Sequence, residues 1–244
     1  MPAKDASSTP PASPPPGVSS LSITVPCYNE EENVERVVHD LRDTLGDLPL
    51  RLEIVIVDDG SRDRTGEIAD RLRKKLPGLR VIHHVRNRGY GAALRSGLTS
   101  AEADIVGYID GDGQFDARDF HLLLPLLGSY DIASAVRRRR RDPLGRRVIS
   151  RLWAWLMRRS LGITVGDINS GLKLYRRRVF TGVELRSEGA FIDAEIFARA
   201  QRRGMTVKEV EVTHLPREGG RQTGANPLVI LRAFRELWKL RSTL

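Results

Sequence analysis

The chain has 244 residues, 40% of them hydrophobic and 29% charged, enough apolar matter to bury one large α/β core and too much for a disordered chain. Its one cysteine, Cys27, excludes an intramolecular disulfide framework, and neither a membrane-spanning apolar run nor a signal-peptide core is visible, so the expected setting is cytoplasmic, soluble or peripheral to a membrane. The net charge of +9 is concentrated between Arg137 and Arg159, where ten arginines face one acid, Asp142; a nucleic-acid binder would spread its cations more widely, and no nucleic-acid partner is expected.

Residues 1–19, with PASPPP, read as a disordered Pro/Ser/Ala-rich leader. A single domain follows over 20–226, and 227–244 form a C-terminal amphipathic helix. Within the domain, Leu21–Pro26 is strand-like. A helix from about Glu31 to Leu45 carries Val34, Val37, Val38, Leu41 and Leu45 on one stripe. Leu52–Asp58 is a second strand, Thr65–Leu76 a helix, Leu79–His83 a third strand, and Gly91 to about Ala101 a helix leading to the Asp104 strand. Three successive βα units predict right-handed crossovers, a mostly parallel sheet and helices on both faces, in a Rossmann-like manner. Phe115–Leu127 is predicted to be one helix capped by Asp116, with Pro125 near its end. Asp131–Val136, GLKLY after Ser170, and the alternating VKEVEV of Val207–Val212 are further strands, and Ile192–Arg203 is a helix.

DIVGYIDGDGQFD, from Asp104 to Asp116, is the stretch that carries chemistry. Its apolar strand delivers Asp110 and Asp112, with Gly111 between them, to the C-terminal end, where open α/β sheets bind ligands. Two such carboxylates can share a hard dication, Mg²⁺ or Mn²⁺, that keeps positions for a diphosphate; the competing reading is an ordinary turn. Three other strand ends, at Pro26–Glu30, Asp58–Ser61 and Asn87–Gly91, converge on the same edge. There Tyr28 can offer a ring to a base and Asp59 can accept hydrogen bonds, or serve only as a turn acid.

VPCYNEEEN, VDDGSRDRTG, NRGYGAALRSG and DGDGQFD, in this order and spacing, resemble inverting GT-A glycosyltransferases of the family-2 type, and within them the dolichol-phosphate mannose synthase group of polyprenyl-phosphate sugar synthases. The resemblance covers about Leu21–Phe234. It implies a GT-A fold, a nucleotide-diphosphate sugar donor with GDP-mannose favoured, a divalent metal, and transfer of a hexose, mannose first and glucose second, to a polyprenyl or dolichyl phosphate. By motif position it implies Pro26, Tyr28, Glu30, Val57 and Asp59 around the nucleoside, and Asp110, Gly111, Asp112 and Gln114 at the metal and diphosphate.

The basic window falls where that group has its acceptor loop, with Arg137 aligned to the first arginine. From Arg146 to Ser160 a helical pattern puts Val148, Ile149, Leu152, Trp153, Leu156 and Met157 on one face and arginines on the other. Residues 137–160 are thus expected either to lie on an anionic membrane surface, with or without a separate membrane-anchoring partner, or to pack on the domain's own core. Asp167 and Ser170, in a D-x-x-S-G segment, orient sugar or acceptor, or merely fix a turn. Asp193 and Glu195 stand where related enzymes with hydroxyl acceptors present acids; with a phosphate acceptor they are expected to be dispensable as bases, one of them serving the sugar hydroxyls instead. Arg217 matches the family's arginine near the diphosphate; Gln222 and Thr223 replace its Ser-Lys pair, leaving Arg221 as the second cation. Two rivals remain: the same donor chemistry with a hydroxyl acceptor, on a cell-surface glycan or small metabolite, and a non-catalytic binder of anionic membrane or nucleic acid.

Overall fold

The computed structural model describes residues 13–137 and 157–215. The strands are β1 (Ser20–Cys27), β2 (Arg51–Asp58), β3 (Leu79–His83), β4 (Ile105–Ile109), β5 (Ile132–Arg137), β6 (Leu172–Arg176) and β7 (Val207–Val212). They form one seven-stranded sheet in the order β3-β2-β1-β4-β6-β5-β7. The pairs β1/β2, β1/β4, β2/β3 and β5/β7 are parallel, and β6 runs antiparallel to both its neighbours. The sheet is therefore mostly parallel, as the βα alternation requires. The reversed β6 has a consequence for the site: its first residues, rather than its last, reach the edge at which β1, β2, β4 and β5 end.

Helices cover both faces. α1 (Val34–Leu45) and α2 (Thr65–Lys75) pack with α4 (Phe120–Leu123) on one side, burying Val34, Val37, Val38, Leu41, Ala69, Leu72 and Phe120 against Leu21, Ile23, Val25, Ile54 and Ile56. On the other side, α3 (Tyr90–Ser100) and α5 (Ile192–Arg202) bring Leu94, Leu98, Ile196 and Phe197 against Val106, Tyr108 and Tyr175. The period-2 alternation along β2 sends Ile54 and Ile56 to the first core and Val55 and Val57 to the second face.

The helix expected over Phe115–Leu127 is corrected. Asp116 does cap it, accepting from the Arg118 amide, but the chain then makes a 3₁₀ turn (Ala117–Asp119), the single turn α4, and a second 3₁₀ turn (Leu124–Gly128). Pro125 has no N–H to return to the preceding turn, and its ring crowds the carbonyl four residues back, so the α-helix cannot run through it. Phe115 lies outside the helix, bridged antiparallel to His214. β7 is an edge strand, which its alternating sequence fits.

The basic stretch beyond Arg137 and the segment from Pro216 onward, including the C-terminal helix, Arg217 and Arg221, lie outside the described residues. Of the helix expected to reach Ser160, residues 157–161 are helical, with Met157 and Leu161 buried in the second core and Arg158 and Arg159 exposed. No described helix is long and apolar enough to cross a membrane.

Candidate active site

The C-terminal edge of the sheet gathers the exits of six strands and the entry to β6. After β1, the chain turns through Asn29, held at a left-handed φ of 55°, a conformation asparagine tolerates better than most residues. Its amide donates to Ser61 Oγ at 3.0 Å and its side-chain oxygen accepts from the Arg62 amide at 2.8 Å, so the turns after β1 and β2 are stitched together. Glu30 is buried, accepts from Asn33 Nδ2 at 2.8 Å and donates its own amide to Thr65 Oγ1 at 2.9 Å. Tyr28 beside it is half-buried.

Asp59 is buried and its carboxylate organises the loop between β3 and α3. Oδ1 takes the Arg88 amide at 3.0 Å and His84 Nδ1 at 2.6 Å, and Oδ2 takes the Gly89 amide at 2.8 Å. His84 Nε2 meets Ser96 Oγ at 2.9 Å. Gly89 has φ 104°, and a Cβ there would strike the Glu188 carbonyl oxygen at 2.5 Å, so this tight Asp59 clasp depends on glycine. Both turn and ligand roles remain compatible with Asp59; the turn role is the one visible. Pro26 and Val57 are register partners in β1 and β2. The Val57 side chain lies in the small core with Val55 and Ala93.

Asp110 and Asp112 follow β4. The Asp110 amide donates to the Gly171 carbonyl at 2.9 Å, and its Oδ1 accepts from Tyr90 OH at 2.7 Å. A Cβ on Gly171 would collide with the Asp110 carboxylate, so the side chain rests on bare backbone. Burial among these groups, and next the charge of Asp112, push the Asp110 carboxyl up to about 7, against the opposing pull of the Tyr90 hydroxyl. Asp112 Oδ1 accepts from the Gln114 amide at 3.1 Å. Gln114 is paired with the strand exit of β7: Leu215 N donates to its carbonyl at 2.8 Å, and its Nε2 donates to the Leu215 carbonyl at 3.2 Å. The edge of the Phe115 ring meets His214 at 5.1 Å. The described chain thus leaves the sheet beside the carboxylate pair.

From the other side come Arg137, Asp167 and Ser170. Arg137 grips Asp167 with Nε and Nη2, both at 2.8 Å, and Nη2 reaches the Asn169 carbonyl at 3.3 Å. Glu209 of β7 accepts the Gly166 amide at 2.9 Å and the Asp167 amide at 3.0 Å. The Ser170 hydroxyl is buried without a hydrogen-bond partner among the described residues. Here the two open readings of Asp167 meet: it fixes the turn and, by the same bonds, holds Arg137 at the cleft edge.

Asp193 and Glu195 are both engaged in bonds within the protein. Glu195 is fully buried and its oxygens are occupied by the Arg186 and Ser187 amides, at 3.0 and 2.8 Å, and Arg199 Nε at 2.9 Å. It pins the loop that packs on α3, since the Glu188 carbonyl accepts the Ala92 amide. Asp193 is buried against Tyr108 OH at 2.6 Å and Lys173 Nζ at 3.0 Å; burial raises its carboxyl, and Lys173 opposes the shift. Lys173, Tyr108, Tyr90 and His84 were not singled out by sequence reasoning.

The donor set fits a hard dication. Two half-buried carboxylates one residue apart repel one another, and no cluster of three or more His, Cys, Asp or Glu able to hold a metal stands among the described residues. Such a pair leaves most of an octahedral shell to water and phosphate oxygens, the arrangement Mg²⁺ favours at substrate phosphates.

A mostly parallel sheet with helices on both faces, ending in paired carboxylates and a clasped glycine loop, has the GT-A architecture. Solved structures agree. The glucosyl-3-phosphoglycerate synthase from Mycobacterium tuberculosis in complex with UDP superposes with a TM-score of 0.70 over 92% of this chain and 80% of that one, at 22% identity. The same enzyme with Mn²⁺, UDP and glucosyl-3-phosphoglycerate gives 0.67 over 92% and 79%, at 24% identity. At these identities the likeness speaks to the fold. The Glycosyl transferase family 2 pattern matches residues 22–183, and the chain belongs to that family. An undecaprenyl-phosphate 4-deoxy-4-formamido-L-arabinose transferase of Pseudomonas syringae is 33% identical over 207 residues, covering 83% of this chain and 60% of its own. A dodecaprenyl-phosphate galacturonate synthase of Rhizobium johnstonii is 31% identical over 229 residues, 92% of this chain and 66% of its own. The chain therefore spans roughly three-fifths to two-thirds of the length of these curated relatives.

Proposed function

We propose that the protein transfers a sugar, with inversion, from a nucleotide diphosphate to a polyprenyl phosphate. The observation that carries this reading is the Asp110–Asp112 pair, held open at the end of β4 by Tyr90 and Gly171. A divalent metal there supplies Lewis acidity to the departing diphosphate. Tyr28 and the Asp59 loop are assigned to the nucleoside, with Pro26 at the end of β1 and Glu30 in the turn after it. Arg217, two residues past Leu215, and Arg221 are assigned to the diphosphate.

The acceptor phosphate attacks the anomeric carbon as the bond to the diphosphate oxygen breaks. A phosphate with a second pKa of about 6 is largely dianionic at neutral pH and needs no protein base, which agrees with the structural work given to Asp193 and Glu195. Arg137, braced by Asp167, is assigned to the acceptor phosphate, and the basic window that follows it in the sequence is assigned to an anionic membrane surface on the cytoplasmic side. Both relatives carry a polyprenyl phosphate in their names, which supports this acceptor. Mannose carried on GDP rests on the motif resemblance; the relatives' names carry an arabinose derivative and a galacturonate, and the solved complexes hold UDP, so UDP sugars belong in the same assay.

The test is to incubate the purified protein with GDP- and UDP-sugars, Mg²⁺ or Mn²⁺ and a short polyprenyl phosphate, and to identify the lipid by mass spectrometry. A glycosylated lipid phosphate that disappears in Asp110→Asn is expected. Transfer only to hydroxyl compounds, or none to any acceptor, overturns the reading.

A further inference from the structure

Lys173 sits in the middle of β6, between β4 and β5, and is fully buried. Leu172 and Leu174 on either side of it face the first core, so alternation turns the lysine into the second. A cation there is costly unless every donor is matched. It is matched three times: Nζ meets Ser170 O at 2.5 Å, Tyr108 OH at 2.7 Å and Asp193 Oδ1 at 3.0 Å. The ring of Tyr108 lies 5.2 Å from Nζ and that of Phe197 5.5 Å. Tyr108 OH also approaches Ser170 O at 3.0 Å and Asp193 Oδ1 at 2.6 Å, closing the cluster.

One of these partners leads straight to the cleft. The Ser170 carbonyl is fixed from inside the protein by Lys173, and the next residue, Gly171, supplies both the carbonyl that receives the Asp110 amide and the bare Cα against which the Asp110 carboxylate lies. A shift of that turn by a fraction of an ångström moves the support of one carboxylate of the pair, leaving Asp112 where it is. We infer that Lys173, clamped by Asp193 and Tyr108, is a positioning residue that holds the Ser170–Gly171 turn and through it sets the aim of Asp110. This deepens, and rests on, the proposed metal-dependent transfer. Asp193 then serves as the counter-ion of the clamp rather than as a base.

Metal uptake, rather than turnover, is what tests this. Mn²⁺ binding to the full chain in the presence of UDP or GDP is measured by the loss of the free Mn²⁺ electron paramagnetic resonance signal, alongside thermal melting, for wild type, Lys173→Gln, Lys173→Met and the double variant Lys173→Met/Asp193→Leu. Lys173→Gln keeps two N–H donors and is expected to bind Mn²⁺ within about threefold of wild type. The double variant replaces a buried ion pair by apolar groups, a change often neutral for stability, so it keeps the proposal testable if Lys173→Met alone does not fold. It is expected to melt near wild type and to bind Mn²⁺ about 10- to 100-fold more weakly, the usual effect of losing the groups behind metal ligands. A double variant that melts like wild type and binds Mn²⁺ like wild type overturns the inference, as does equal weakening in Lys173→Gln and Lys173→Met in step with their melting temperatures. Wild type that takes up no Mn²⁺ with either nucleotide overturns the proposed function itself.

Discussion

The hydroxyl of Tyr90, in the first turn of α3, donates to Oδ1 of Asp110 at 2.7 Å, tying the start of a helix to the end of the central strand β4. This is the bond that resists the upward push of burial and of Asp112 on the Asp110 carboxyl. Removing it leaves the carboxylate less stabilised and freer to rotate. A hydrogen bond to a charged group contributes about 1.5–3 kcal/mol, so Tyr90→Phe is expected to raise the Mn²⁺ concentration for half-maximal transfer by about tenfold. The rate at saturating metal should stay close to wild type. An unchanged metal requirement in a Mn²⁺ titration would show that Tyr90 only fills space.

Asp59 offers a sharper contrast, because a residue that only touched a ligand could be truncated without harm to the fold. Here its carboxylate receives two backbone amides and His84 in a buried setting. Asp59→Ala strands all three donors, and each buried unmet partner costs about 1–3 kcal/mol. The expected result is a melting temperature lower by about 6 °C or more, together with lost donor binding. A variant that melts like wild type would mean that the clasp between β2 and α3 does not depend on Asp59.

These two residues mark the limit of what could be read from the chain. Asp59 and Asp110 stand in compact motifs, and strands and helices alternate with clear periods, so the sheet, its two helical faces and the carboxylate edge were legible. Lys173 was not. In GLKLY it has the phase of an outward residue on a half-exposed strand, and only the order β4-β6-β5 puts it at the centre of the sheet. Its counter-ion Asp193 is on another element, and Tyr90 meets Asp110 only because α3 begins beside β4. The break at Pro125 was legible in principle, since a proline interior to a helical pattern stops it; the apolar spacing around it outweighed that signal. Glu195 was legible only in part, because an acid at that place looks the same in sequence whether it faces the cleft or the core.

Glu195 can be separated from a general base by its response to substitution. Four hydrogen bonds converge on it, from the Arg186 and Ser187 amides and from Arg199, and its side chain is fully buried. Breaking a buried pair by removing one partner costs about 3–5 kcal/mol, so Glu195→Ala is expected to unfold early or fail to accumulate. Glu195→Gln keeps an acceptor for part of the set and should retain most of its transfer activity. A base would behave in the opposite way, with Glu195→Gln well folded and inactive; circular dichroism melts beside a lipid-product assay distinguish the two.

Asp119 sets a pH dependence unconnected with transfer. Its carboxyl is pushed up to about 7 by burial and then by the charge of Asp116, with Arg118 opposing, and its Oδ2 is buried without a partner among the described residues. A carboxyl with a folded pKa above its unfolded value binds more protons in the native state than in the unfolded one, so stability falls as pH rises between the two values and stays low above the higher. The protein should lose stability from this group between about pH 4 and about pH 7. Asp119→Asn, which carries no charge at any pH, removes that slope. It is expected to raise the melting temperature at pH 8 by roughly 2–4 °C for each kcal/mol relieved, and to leave the melting temperature near wild type at pH 4. Equal melting curves for the two proteins at pH 8 would show that the Asp119 carboxylate is solvated well enough to ionise without cost.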